Sequence, residues 1–321
     1  MASKFDDDQL RNLALKLTDP YDQPDLTFEV SPDVELIDIL NIYTFERYPA
    51  EKAFCVECCG RHHKRGFTAI LTNGKRALYG STCGARRFEQ SWTAAEKRIE
   101  ERADRQFEIK KLDRLNRMFA PLERGVAAWL LPLQKLAGKR AAFDKHLGEL
   151  ASRVRESVSK QGALTVFYEV QSGAARAAGM RQGAVHQEVI VARVAGYELF
   201  QDLDPGKVVE QTFDALAAMK APTGNLTTQR LAARRRALER CLSDLEVCAK
   251  MHAAAEEFFT VENFRGMLRW TNENSGTKAR YEVTEARIAR EIGRQGGIAL
   301  QPADAIDTTL LDLISDYRRA D

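Results

Sequence analysis

The sequence predicts a mainly α-helical fold with small β elements. Residues 91–160 are rich in Ala, Glu, Lys and Arg, with apolar residues at helical spacing. Residues 66–80 and 162–200 carry the β-branched and aromatic side chains that favour strands. Helical composition returns after residue 207. We divide the chain into an acidic N-terminal segment (1–52), a cysteine-rich module (53–92), a helical region (93–160) and an α+β or helical C-terminal domain (161–321).

The N-terminal segment carries two helix signals. The stretch "DQLRNLALKL" predicts a short helix. In "SPDVELIDIL", Ser31 is a possible N-cap and Pro32 occupies the first helical position, so a second helix is predicted there. Residues 66–80 predict a β-hairpin instead, because Asn73-Gly74 favours a type I′ turn between two apolar runs.

Prolines and composition define the later elements. Pro121 and Pro132 predict that the long helix is interrupted or kinked, which leaves at least two segments. Two strands follow in "ALTVFYEV" and "EVIVARVAGYELF", and then helices in "VVEQTFDALAAMK" and at about 226–260. The stretch "RYEVTEARIAREIG" predicts a strand and then a helix, and "IDTTLLDLISDYRRA" predicts a terminal helix.

Charge is unevenly distributed along a chain whose net charge is only +2. Residues 1–54 hold twelve acids and five bases, a net −7, whereas residues 55–87 hold seven bases and one acid, a net +6. No apolar run approaches the roughly 20 residues of a membrane span, and the acidic N-terminus does not resemble a secretory signal. We therefore expect a cytoplasmic protein without a membrane partner. In a reducing compartment, clustered cysteines indicate metal binding or catalysis rather than disulfides.

The cluster "CVECCGRHHKRGFTAILTNGKRALYGSTC" has the spacing of a structural zinc site. Cys55 and Cys58 are separated by two residues, which lets one tight turn aim both sulfurs at one ion. The hairpin then returns the chain and brings Cys83 close to them. The fourth ligand is His62 or His63, and His63 is favoured because it lies nearer the first strand. The expected ligands of one structural Zn²⁺ are therefore Cys55, Cys58, His63 and Cys83, without Cys59.

The pattern C-x2-C…G-F…N-G…Y-G-S-T-C resembles the small treble-clef or zinc-ribbon modules of uncharacterised bacterial and phage proteins, over about residues 53–92. The resemblance implies a knuckle, a hairpin and a ligand at a helix start. It departs from the usual treble clef because Arg86 and Arg87 stand where a second helix ligand is expected. A catalytic zinc, a redox Cys-x2-Cys pair and a nucleophilic Cys59 rank lower, because no base or orienting group accompanies them.

The basic residues of the module predict contact with nucleic-acid phosphates. Two alternatives stay open, that these residues bind the acidic N-terminal segment or that they only face solvent. Our leading hypothesis is a zinc-binding accessory protein that contacts DNA or RNA. The alternative is a protein-interaction scaffold with a purely structural zinc, whose helices bind a partner. An enzyme in the region after residue 160 ranks third, since the chain has no phosphate-binding loop, dinucleotide fingerprint, zinc-protease helix or nucleophile elbow. The candidate nucleic-acid contacts are Arg61, Lys64, Arg65, Lys75, Arg76, Arg86 and Arg87.

Overall fold

The chain is mainly helical with small sheets, as predicted. A computed structural model describes residues 6–45, 55–57, 65–171, 184–221, 226–274, 281–283, 287–290, 297–300 and 304–319. The chain divides into two compact units. Unit 1 comprises residues 1–115 and 222–233, and unit 2 comprises residues 116–221 and 234–321.

Unit 1 contains a four-stranded sheet in the order β1-β2-β3-β4. Its strands are β1 (Lys16–Leu17), β2 (Leu36–Thr44), β3 (Arg65–Leu71) and β4 (Arg76–Tyr79). β1 is parallel to β2, and the other neighbours are antiparallel.

The helix predicted from Ser31 is wrong, because the chain forms β2 there instead. The start signals at Ser31 and Pro32 are local, whereas β2 pairs with β3 along most of its length. That pairing buries Ile39 and Ile42, so long-range packing outweighs the local preference.

The predicted hairpin is present, but its turn is not type I′. A type I′ turn requires positive φ at both central residues, and only Gly74, with φ 77°, has one; Asn73 does not. Leu71 N–H donates to Lys75 O at 3.0 Å, which closes a three-residue loop. Gly74 occupies the left-handed position that such loops require.

Helices α1 (Asp7–Asn12), α2 (Ser81–His146) and α3 (Gly148–Val158) account for most of the first half of the chain. Pro121 and Pro132 do not end a helix, because both lie inside α2, so the predicted interruption there is wrong, whereas a kink at either proline stays a prediction. The break in α2 falls at Glu89, with φ 50° and ψ −120°. Each interior proline costs about 3 kcal/mol, and burial of the neighbouring Phe119, Leu122 and Leu133 offsets that cost.

Unit 2 is built mostly from helices. The helices predicted after residue 207, at about 226–260 and at the end of the chain are confirmed as α4 (Pro205–Lys220), α5 (Thr228–Phe258) and α7 (Thr309–Arg319). Helix α6 (Val261–Asn274) follows α5, and the core of this region contains the buried side chains of Phe258, Phe259, Phe264 and Trp270.

Two small sheets complete the described part of unit 2. The two predicted strands are present as β5 (Ala163–Gln171) and β6 (Ala184–Arg193), which pair antiparallel. The last residues of the second predicted strand form a 3₁₀-helix instead (Tyr197–Phe200). β7 (Tyr281–Val283), β8 (Arg287–Arg290) and β9 (Gly297–Ala299) form an antiparallel sheet. The helix predicted within 280–293 is wrong over β8, because that strand pairs on both edges.

The two stretches of unit 1 are connected by Arg105. Its Nη1 donates to the carbonyl oxygen of Leu226 at 2.5 Å, while its Nε and Nη2 bind the Asp7 carboxylate at 2.9 and 2.8 Å. One side chain thus contacts the N-terminal helix and the stretch that returns more than a hundred residues later. Within the described residues, no helix combines the length and the apolar character needed to cross a membrane.

Candidate metal centre and the basic residues around it

Cys55 lies beside strand β4. The backbone N–H of the next residue, Val56, donates to the carbonyl oxygen of Leu78 at 3.0 Å, so the short segment 55–57 extends along the strand edge. Cys55 is only 1% exposed and belongs to the main core of unit 1. The hairpin returns the chain to this segment, as the sequence predicted.

Cys83 lies in the first turn of α2, which begins at Ser81, directly after β4 ends at Tyr79. It is 8% exposed and belongs to the same core as Cys55. The Nη2 of Arg86 lies 3.6 Å from its Sγ, within the distance of a hydrogen bond to sulfur. The sequence predicted a hairpin after Cys55 and a helix that starts near Cys83, and the structure has both.

Two of the predicted ligands can be placed, and the others cannot. Cys55 and Cys83 are described and carry no disulfide. Cys58, Cys59, His62 and His63 lie outside the described residues, so the complete ligand set stays a prediction. Among the residues that are described, no group of three His, Cys, Asp or Glu side chains could hold a metal.

The surroundings of Cys55 and Cys83 fit a thiolate-bound metal. Phe67, Tyr79, Phe88 and Trp92 contact one another with ring centroids 5.4–6.2 Å apart and cover the start of α2. Within the described part of the chain, the buried hydroxyl of Tyr79 has no hydrogen-bond partner, and neither has the Nε of Arg87. Burial raises the pKa of the Tyr79 hydroxyl well above its usual range, so it remains a donor. Buried donors are the groups that metal-bound thiolates accept from.

Besides Arg86, which donates to Cys83, three of the candidate nucleic-acid contacts bind the chain itself. Arg87 contacts Glu57 at 3.1 Å and the carbonyl oxygen of Ser31 at 2.6 Å. Arg76 donates to Gln23 Oε1 at 3.0 Å. Arg65 lies 2.5 Å from Glu100, although its side chain is 53% exposed.

The remaining candidates are either exposed or outside the described residues. Lys75, next to the hairpin tip, and Arg86, one turn into α2, are exposed. Arg61 and Lys64 lie outside the described residues. Lys75 and Arg86, with the half-exposed Arg65, are therefore the described residues that could reach a phosphate.

The acidic N-terminal segment binds arginines of α2 that the sequence analysis did not single out. Asp38 contacts Arg98 at 2.9 Å and Arg102 at 3.1 Å, and Asp7 contacts Arg105. The available signal was the spacing of these arginines, which places them on one face of a helix. Asp7 and Asp38 are thus neutralised by arginines outside the cysteine-rich module.

The other described thiols belong to unit 2 and to its interior. Cys248 is fully buried, and burial raises the pKa of its thiol to about 12. Cys241 is half-buried, and burial raises its thiol pKa as well. His252 lies 2.6 Å from the carbonyl oxygen of Asp304 through its Nε2.

No protein-family model, curated protein or solved structure matches this chain. The candidate site therefore rests on its residues and their geometry.

Proposed function

We propose that residues 53–92 form a treble-clef-like module around one structural zinc ion. The ligands are Cys55, Cys58, Cys83 and either His62 or His63, with His63 preferred and Cys59 not bound. The observation that carries the proposal is that Cys55 and Cys83, far apart in sequence, are buried in one core next to β4. Zinc would cross-link the two ends of the hairpin there. Because these thiols must remain reduced to bind metal, we place the protein in the cytoplasm.

The proposed activity of the module is contact with nucleic-acid phosphates, as an accessory to a larger process. Lys75 and Arg86 are exposed, and Arg65 is half exposed; Arg61 and Lys64 extend the same basic segment. Arg76 and Arg87 hold the N-terminal segment instead, so we leave them out of the contact surface. Phosphate contacts of this kind are common to DNA and RNA.

Salt-dependent binding tests the proposal. The variant Lys64→Glu/Lys75→Glu removes two candidate phosphate contacts and leaves Arg86, which lies near Cys83, unchanged. Duplex and single-stranded oligonucleotides are titrated with wild type and variant at several salt concentrations. The slope of log K against log salt should fall by roughly 1.8 on duplex DNA, about 0.9 for each phosphate that is no longer neutralised.

The matched control is Lys207→Glu/Lys250→Glu, which makes the same change in charge at two exposed lysines of unit 2. It should bind as wild type does, apart from a small general weakening. Equal weakening by the two variants, or retention of binding by Lys64→Glu/Lys75→Glu, would contradict the proposed surface. A metal-loaded protein with no oligonucleotide binding at low salt would favour the scaffold alternative, in which zinc is only structural.

A further inference from the structure

The hydroxyl of Tyr79 is a buried polar group without a partner among the described residues. Tyr79 is 0% exposed, and no described atom forms a hydrogen bond with its hydroxyl. Its ring is fixed by edge contacts with Phe88 and Trp92, at centroid distances of 5.4 and 5.5 Å. Buried polar groups in folded proteins are nearly always hydrogen-bonded, so this hydroxyl is a donor still available to a group that binds beside it.

The hydroxyl lies near the first predicted zinc ligand. Tyr79 follows Leu78, whose carbonyl oxygen accepts the Val56 N–H, so Cys55 and Glu57 flank the paired residue. The charged and titratable groups that act on the hydroxyl are Arg87, Glu57 and Cys55. The Glu57 carboxylate already accepts from Arg87 at 3.1 Å. Cys55 is buried in the same core as Tyr79, whereas the Glu57 side chain is 31% exposed, so the Cys55 sulfur is the better placed acceptor for the Tyr79 hydroxyl.

The proposed metal site needs donors of this kind. Three thiolates and a neutral imidazole around Zn²⁺ leave one net negative charge, and Cys55 and Cys83 are both buried. A buried charge is costly unless hydrogen bonds compensate it. One such contact is already present, because Arg86 Nη2 lies 3.6 Å from Cys83 Sγ.

We infer that Tyr79 is a positioning residue whose hydroxyl donates a hydrogen bond to the thiolate of Cys55 when the metal is bound. The inference rests on the proposed zinc site and adds to it a residue outside the ligand set. It assigns Tyr79 a role that a simple core aromatic would not have. The hydroxyl would then be unsatisfied only in the metal-free protein.

The test is the substitution Tyr79→Phe, which removes the hydroxyl and keeps the ring. Zinc affinity of the full chain, measured by competition with a chelator, should fall by about tenfold or more, as expected for removal of an outer-sphere partner. The metal-free variant should melt at a higher temperature than metal-free wild type, because an unsatisfied buried hydroxyl is gone. In cobalt-substituted protein, the sulfur-to-metal charge-transfer band should shift.

Thr68→Val is the matched control. Thr68 is also fully buried, and its hydroxyl also lacks a partner within the described residues. It pairs with Leu78 across β3 and β4, whereas Tyr79 pairs with Phe67, so the two hydroxyls lie on opposite faces of the sheet. Thr68→Val should likewise raise the melting temperature of the metal-free protein, but it should leave the zinc affinity and the cobalt spectrum unchanged.

The outcomes separate the inference from the proposal it rests on. Wild type that binds no zinc or cobalt would overturn the metal site and the inference together. Wild type that binds one metal ion with a Tyr79→Phe variant of equal affinity would overturn the inference alone. Equally reduced affinity in Tyr79→Phe and Thr68→Val would also overturn it, because the effect would then be general destabilisation.

Discussion

The cysteine-rich module of unit 1 and the helical core of unit 2 both contain clustered aromatic rings, but the clusters differ in what surrounds them. In unit 2, Phe143, Phe200, Phe258, Phe259 and Phe264 contact one another with centroids 4.9–6.2 Å apart. In the module, the rings adjoin two buried thiols and two buried donors that have no partner in the described part of the chain. The first core packs ring against ring, with Lys139, Arg140 and Arg155 over two of its rings. The second contains buried donors for which an acceptor such as a thiolate would be needed.

The largest effect that separates the two regions is expected from Cys83→Ser. Binding of structural zinc supplies about 10–16 kcal/mol of apparent free energy in small zinc modules at neutral pH. Removal of this ligand, or chelation of the metal, should therefore destabilise residues 53–92 and speed hydrogen exchange in β3 and β4, while unit 2 is unchanged. Elemental analysis would report the metal, and hydrogen exchange would report β3 and β4 separately from α5.

Cys241→Ser is the control for this substitution, because it changes a half-buried thiol of α5. It should retain one zinc ion per chain. Full metal content in Cys83→Ser would remove this residue from the ligand set. Unfolding of unit 2 together with the module would contradict the independence of the two regions.

The converse substitution, Phe258→Ala, acts on unit 2. Phe258 is fully buried and contacts four other phenylalanine rings. Its truncation should lower the free energy of unfolding of unit 2 by about 3–5 kcal/mol. Urea unfolding followed by hydrogen exchange would measure this decrease, and metal content should not change.

Leu131→Ala provides the comparison for Phe258→Ala. Leu131 is 58% exposed on α2, and its truncation should change stability by no more than about 0.5 kcal/mol. Similar decreases from both substitutions would show that the phenylalanine cluster is not the core that stabilises unit 2.

The smallest changes in stability are expected from replacing two glycines with alanine, one substitution destabilising the protein and the other stabilising it. Gly74 has φ 77° with open space around it, so Gly74→Ala should destabilise the hairpin by about 1–2 kcal/mol through backbone strain alone. Gly138 lies in α2, with open space and without a positive φ. Gly138→Ala should therefore stabilise the helix by about 0.5–1 kcal/mol. Melting temperatures of the two variants would test this, with a decrease expected for Gly74→Ala and an increase for Gly138→Ala. A shift in the same direction for both would contradict the positive φ of Gly74.

The sequence predicted those elements whose signals are local. Helices α4, α5 and α7 follow from apolar spacing, and the β3–β4 hairpin follows from Asn73-Gly74 between two apolar runs. β2 could not be predicted in the same way, because the start signals at Ser31 and Pro32 favour a helix and only the distant partner β3 makes the strand preferable. Pro121 and Pro132 do not interrupt α2 for the same reason, since burial of their neighbours is a tertiary effect.

The candidate site, too, was predictable only where its signals are local in the sequence. Cysteine spacing predicts zinc chemistry, because a two-residue spacing and a hairpin restrict where sulfurs can lie. The charge pattern predicts a basic module but not its partners. Arg87 donates to Glu57 and to the Ser31 carbonyl. Asp38 accepts from Arg98 and Arg102, which lie sixty or more residues away in the sequence. Such pairs depend on the assembled fold, so a count of charges along the chain does not identify them.

The two-part composition of unit 1 has a consequence for the protein during its synthesis. All the proposed zinc ligands have been made once residue 83 is added, but the Leu226 carbonyl that Arg105 binds is made more than a hundred residues later. At about 5–20 residues per second, the interval is on the order of ten seconds. The nascent chain would therefore present its cysteines to the cellular metal pool well before unit 1 is complete. If the proposed zinc site forms, capture of the metal would precede closure of the unit on the ribosome.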